Sequence, residues 1–148
     1  MRIYIDMDNV LVDFRSGIER LDAAQKSQFA GSYDEVPGIF SLMDPYPGAV
    51  EAFRKLSANH DVFIASTAPW NNPSAWSDKV KWVQKYLGQN AEKRLILTHH
   101  KYLLRGDVLI DDRTKRGAGA FAGRHILFQV NHSIHDWESV LSEIESIT

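Results

Sequence analysis

A chain of 148 residues with 44% hydrophobic and 24% charged side chains has the length and balance of one soluble domain that can bury its own core. A formal charge of −2 without any polybasic run gives no bulk attraction to a nucleic-acid polymer or an anionic membrane. The absence of cysteine excludes disulfides, thiolate zinc sites and cysteine-nucleophile chemistry. The apolar run in Met1-Arg2-Ile3-Tyr4-Ile5-Asp6 is too short for a signal peptide, and no stretch approaches the ~18 apolar residues of a membrane span. A reduced, cytoplasmic enzyme-sized domain is expected.

In chain order, strands are predicted at 2–6, 61–66, 94–98, 107–111 and 125–130. Ile3, Ile5, Val62, Ile64, Ile96, Val108, Ile110, Ile126 and Phe128 make them nearly continuous apolar runs, as strands buried on both faces require. Helical spacing separates them. Val50, Phe53 and Leu56 follow Pro47-Gly48. Val80, Trp82, Val83, Tyr86 and Leu87 form a stripe stopped by Gly88, and Trp137, Val140, Leu141, Ile144 and Ile147 form another, entered at Asp136. Such alternation predicts an α/β fold, a mostly parallel sheet with helices on both faces. Residues of about 15–44 break the pattern. They are predicted as a small insertion over one end of the sheet: a helix with Ile18 and Leu21 running towards Phe29, then turns at Gly31-Ser32 and Pro37-Gly38. The whole of 1–148 is expected to be one domain.

Ligands of open α/β sheets bind beyond the carboxyl ends of the strands. The first strand ends in Asp6-Met7-Asp8-Asn9, and residues two apart share a face, so both carboxylates can meet one ligand. The second ends in Ser66-Thr67, the third leads to Lys101, and the fourth ends in Asp111-Asp112. Four carboxylates at one sheet edge repel strongly unless a hard cation joins them, and oxygen donors without Cys or His suit Mg²⁺. The hydroxyls and Lys101 then suit phosphate oxygens. A carboxylate remains to attack phosphorus and another to move protons, which describes phosphoryl transfer through an aspartyl-phosphate.

These residues resemble the haloacid dehalogenase (HAD) superfamily of phosphatases. Asp6-Met7-Asp8-Asn9-Val10 is similar to its DxDx(T/V) motif, and Ser66/Thr67, Lys101 and Asp111-Asp112 follow in the order of its other motifs. Segments 6–14, 44–52, 61–69, 81–88, 97–101 and 109–113 resemble more closely the 5'(3')-deoxyribonucleotidases. The resemblance implies a HAD-like Rossmannoid fold with a small helical cap, and Mg²⁺-dependent hydrolysis of (deoxy)nucleoside monophosphates. It implies that Asp6 is nucleophile and metal ligand, and that Asp8 is acid/base and binds the metal through its carbonyl. Ser66 and Thr67 would hold phosphate, Lys101 would balance charge, and Asp111 and Asp112 would serve the metal in an order left open. Phe14 matches an aromatic that packs on the nucleobase, and the family also implies a homodimer. Asn9 stands where many members have Gly, a place for left-handed backbone that Asn tolerates. The insertion is shorter than the family's cap, and its aromatics are not matched to Tyr33, Ile39 or Phe40. A sugar phosphate therefore stays an alternative substrate, and a non-catalytic phosphate-binding module a further one.

Other features have plainer readings. Asp13 braces a turn or caps a helix; Ser66 could cap a helix before Pro69, and Lys101 could be a surface lysine. Gly117-Ala118-Gly119-Ala120-Phe121-Ala122 fits a loose dinucleotide pattern with Asp136 downstream, but Asp111-Asp112 before it would repel a pyrophosphate, so helix packing is expected. The adjacent His99-His100 side chains tend to diverge, and His132-x-x-His135 lacks a third ligand, so zinc is not expected at either. Trp70 and Trp76 either pack the loop after Thr67 or, for Trp70, line the substrate pocket.

Overall fold

The computed structural model describes residues 1–114, 117–128 and 136–148. Five strands, β1 (Arg2–Ile5), β4 (Asp61–Ser66), β5 (Leu95–Leu97), β6 (Val108–Asp111) and β7 (Arg124–Leu127), form one parallel sheet in the order β5-β4-β1-β6-β7. Alternation along each strand sorts its residues between two cores. Ile3, Ile5, Val62, Ile64, Val108, Ile110 and Ile126 face a large cluster that also takes side chains from helices α3 (Ala49–Asn59), α4 (Pro73–Tyr86) and α5 (Trp137–Ile147). Tyr4, Ala65 and Leu109 face a smaller cluster closed by Ala118 and Phe121, from beside a 3₁₀ turn at Ala118–Ala120. The predicted parallel α/β sheet is present. Among the described residues its second face is covered by short 3₁₀ helices rather than long α-helices.

Local chemistry explains the boundaries. Asp136 enters α5 and its carboxylate accepts the Ser139 amide at 2.7 Å. Pro73 occupies the first turn of α4, where its missing N–H is harmless. The predicted strand 125–130 ends at Leu127, and its last residues, like the His132/His135 pair, lie outside the described residues. Gly117 has φ +82° and leads only into the 3₁₀ turn, so the helix a dinucleotide site needs does not follow it.

Residues 12–45, which include the segment predicted as an insertion, lie between β1 and α3. A two-stranded antiparallel pairing of β2 (Val12–Asp13) with β3 (Asp44–Pro45) closes its base. The single helix predicted towards Phe29 is instead two, α1 (Phe14–Glu19) and α2 (Ala23–Gln28). The break is chemical: Asp22 and Gln25 form a reciprocal capping box that starts a new helix. Asp13 occupies the cap position of α1, but its carbonyl rather than its carboxylate works there, accepting Ser16 Oγ at 2.6 Å. No helix among the described residues is long and apolar enough to cross a membrane.

Between β1 and β2 the chain turns sharply. Asn9 has φ +60°, its amide donates to Val12 O at 2.7 Å, and the amides of Leu11 and Val12 both donate to Met7 O. Asn tolerates that conformation, as expected from the sequence. Asn9→Gly should keep the turn, whereas Asn9→Ala should cost about 1 kcal/mol of stability from left-handed strain; urea unfolding of the two variants checks this.

Candidate active site

The carboxyl ends of β1, β4 and β6 open into a cavity of about 390 Å³ lined by Asp6, Asp8, Asn9, Phe14, Gly31, Tyr33, Asp34, Thr67, Pro69, Lys101, Asp111, Asp112 and Arg113. Larger hollows lie at the opposite sheet edge, around Arg2 and Asp107, and beside β5, remote from these acids. Asp6 continues β1 through its amide, which donates to Ile110 O at 2.9 Å. That bond places it against the end of β6, where Asp111 and Asp112 emerge. Oxygens of Asp6, Asp111 and Asp112 all lie within 4.8 Å of one another.

Two buried lysines answer this negative charge. Lys101 Nζ donates to Asp6 Oδ1 at 2.9 Å and to Asp111 Oδ2 at 2.5 Å. Lys79, on α4 and 0% exposed, reaches both Asp8 oxygens at 3.1 Å and Ser66 Oγ at 2.8 Å. Its ammonium also lies 4.4 Å from the centroid of the buried Phe40 ring, a favourable cation–π contact. The acids thus divide by partner. Asp6 and Asp111 share Lys101, while Asp8 is turned to Lys79 and its carboxylate stands outside the three-acid group.

Burial pushes the Asp8 carboxyl upward; Lys79 opposes this and the charge of Asp6 adds to it. Burial and then Asp6 also raise Asp111, against the pull of Lys101. Asp112 is pushed up to about 8, by burial first and then by the charges of Asp6 and Asp111. Burial works against the Lys101 ammonium, but Asp6 and Asp111 outweigh it and raise its pKa. Three acids with one shared lysine leave negative charge that a hard divalent cation fits, and every donor is oxygen.

The structure brings together Asp6, Asp8, Phe14, Thr67, Lys101, Asp111 and Asp112 from the sequence prediction. Phe14 lines the cavity, edge-on to Phe40 at 5.8 Å. Two residues fall elsewhere. Ser66 is fully buried and not a lining residue, its Oγ accepting from Lys79 Nζ, while Thr67 lines the cavity with its Oγ1 donating to Thr98 O. Trp70 is 77% exposed and not part of the wall; its ring packs edge-on against Trp76 and His99, so it belongs to a surface aromatic cluster. Lys79, Arg113, Tyr33 and Asp34 were not singled out from sequence as site residues. For Lys79 a signal existed, because Ala75, Lys79, Trp82 and Val83 share one buried helix face. The predicted stripe used Val80 instead, which is exposed.

The raised carboxyls set a sign for stability. Folded Asp8, Asp111 and Asp112 hold protons more tightly than the unfolded chain, so the metal-free protein should lose stability as pH rises from about 4 towards 8. His60, lowered by burial and the N-terminal charge, works oppositely near pH 6 as a single group against three. Thermal melts across that range should slope downward in chelator and flatten with a divalent cation; a slope unaffected by the cation would place binding elsewhere.

Residues 25–143 match the family model described as "5' nucleotidase, deoxy (Pyrimidine), cytosolic type C protein". The chain is 56% identical over 144 residues to a protein of Vibrio phage KVP40 provisionally named a 5'(3')-deoxyribonucleotidase, covering 97% of this chain and 84% of that one. It is 31% identical over 166 aligned positions to the human cytosolic-type 5'(3')-deoxyribonucleotidase, covering 91% of this chain and 83% of that one. Its fold is similar to that of a haloacid dehalogenase-like family hydrolase from Streptococcus pneumoniae, with a TM-score of 0.67, 13% identity and 97% of each chain covered.

Proposed function

The chain belongs to the 5'(3')-deoxyribonucleotidase family of HAD-like phosphoric monoester hydrolases, and on that premise we propose that it releases phosphate from (deoxy)nucleoside monophosphates through an aspartyl-phosphate. The observation that carries the reading is the division of labour between Asp6 and Asp8. Asp6 sits with Asp111, Asp112 and Lys101, whereas Asp8 sits apart with a raised pKa.

Asp6, Asp111 and Asp112 would hold Mg²⁺, joined by the Asp8 carbonyl as the family implies. When bound, the cation would neutralise phosphate charge and polarise the phosphoryl group. An Asp6 carboxylate oxygen attacks phosphorus, and the bond from phosphorus to the sugar oxygen breaks. Asp8, favoured as the neutral acid by its burial, gives that oxygen its proton. Water then attacks phosphorus as Asp8 takes a proton back, the phosphorus–Asp6 bond breaks, and phosphate leaves. Lys101 holds Asp6 in place and offsets the charge gathered there. Lys79 fixes the Asp8 carboxyl by contacting both its oxygens, so one acid stays aimed while protonation changes. Arg113 and, once its hydroxyl turns from the Thr98 carbonyl, Thr67 would bind phosphate oxygens from the cavity wall, and Phe14 and Tyr33 would pack on the base.

Phosphate release should be measured over deoxy- and ribonucleoside monophosphates and sugar phosphates, with Mg²⁺ and with chelator. Release concentrated on nucleotides and abolished by chelator is expected; preference for sugar phosphates would overturn the nucleotide assignment while keeping the chemistry. Asp6→Asn should fall to background, since an amide is a poor nucleophile and metal ligand. Lys79→Met, which keeps the stem and removes the charge, should lower kcat by about a hundredfold through misplacement of the acid/base; steady-state kinetics at several pH values check it.

A further inference from the structure

Asn72 occupies the N-cap of α4, where asparagine ordinarily turns its side chain onto its own helix. Here it makes no such bond. It is buried, and Nδ2 donates instead to Asp34 O at 2.9 Å and Val36 O at 3.0 Å. Its Oδ1 accepts Ser74 Oγ at 2.6 Å, and Ser74 Oγ accepts the Gly38 amide at 3.0 Å. The first turn of α4 therefore grips residues 34–38 of the insertion at three backbone groups.

That grip bears on the cavity. Tyr33 and Asp34, which with Gly31 are the insertion's share of the wall beyond Phe14, belong to a three-residue 3₁₀ turn, Tyr33–Glu35. So short a turn has weak hydrogen-bond geometry of its own and depends on outside anchors. Asn72 supplies two of them, to carbonyls that flank and include this turn. Its side-chain hydrogen bonds go to Asp34 O, Val36 O and Ser74 Oγ rather than to Asp6, Asp8, Asp111 or Asp112. Lys79, two helical turns on, has its own bonds to Asp8 and Ser66, and Trp82 Nε1 fixes the middle of α4 to Met43 O at 3.0 Å.

We propose that Asn72 is a positioning residue for the nucleoside half of the substrate, holding Tyr33 and Asp34 in the cavity wall. The proposal rests on the nucleotidase reading and extends it with a residue whose loss separates recognition of base and sugar from phosphoryl chemistry.

Asn72→Ala and the milder Ser74→Ala should be assayed with deoxynucleoside monophosphates and with p-nitrophenyl phosphate, whose organic group is small. In Asn72→Ala the nucleotide KM should rise about tenfold with kcat little changed, the pattern of lost uniform binding. Ser74→Ala should show the same pattern more weakly, and both should leave p-nitrophenyl phosphate kinetics unchanged. Amide hydrogen exchange at 34–38 should quicken in both variants. Equal loss on both substrates, or unaltered exchange at 34–38, would overturn the proposal. If the wild type cleaves p-nitrophenyl phosphate and no nucleotide, the nucleotidase reading fails by itself, and exchange at 34–38 still decides whether Asn72 holds the wall. Should Asn72→Ala not fold, Ser74→Ala carries the same test.

Discussion

Four carboxylates meet at one sheet edge, and their mutual repulsion is the constraint that the rest of the site answers. Leaving such groups buried and unpaired would cost several kcal/mol each. The fold answers with two buried lysines carried by different elements. Lys101 opens a short 3₁₀ turn beyond β5 and bridges Asp6 to Asp111, while Lys79 comes from the second turn of α4 to Asp8. Residual negative charge in the Asp6, Asp111 and Asp112 group is what a divalent cation would complete.

This arrangement links the fold to the chemistry. Parallel pairing of β1 with β4 and β6 puts three strand ends side by side, so residues more than a hundred positions apart meet without any long loop. Helix α4 then has several duties. Its apolar face packs through Trp82 and Val83, its lysine orders Asp8, and its first turn anchors the insertion. Phe40 joins these layers, packing edge-on with Phe14 while offering its ring to the Lys79 ammonium.

The strand ends were legible in the sequence because strands buried on both faces are written as short apolar runs, and the polar residues after them stand out. Asp6, Asp8, Thr67, Lys101, Asp111 and Asp112, which line one cavity in the structure, are picked out that way. Lys79 was hidden because a lysine in a helix normally marks the solvent face; only the phase set by Ala75, Trp82 and Val83 reveals that it points inward. Ser66 and Thr67 offered two hydroxyls where strand alternation admits one to the cavity, and the sequence does not say which. Trp70 read equally well as pocket or loop packing, since the partners that draw it outward include His99, far along the chain. The break between α1 and α2 was written in Asp22 and Gln25, but the apolar spacing across it looked continuous.

On the proposed mechanism Asp6 carries the phosphoryl group while Asp8 handles its protons. Rapid acid quench of the Asp8→Asn variant turning over a ³²P-labelled nucleoside monophosphate, followed by peptide mapping, tests it directly. Label retained as an acid-stable, base-labile acyl-phosphate on the peptide holding Asp6 is the result the account expects. Turnover without any label, or label on a different residue, would contradict it.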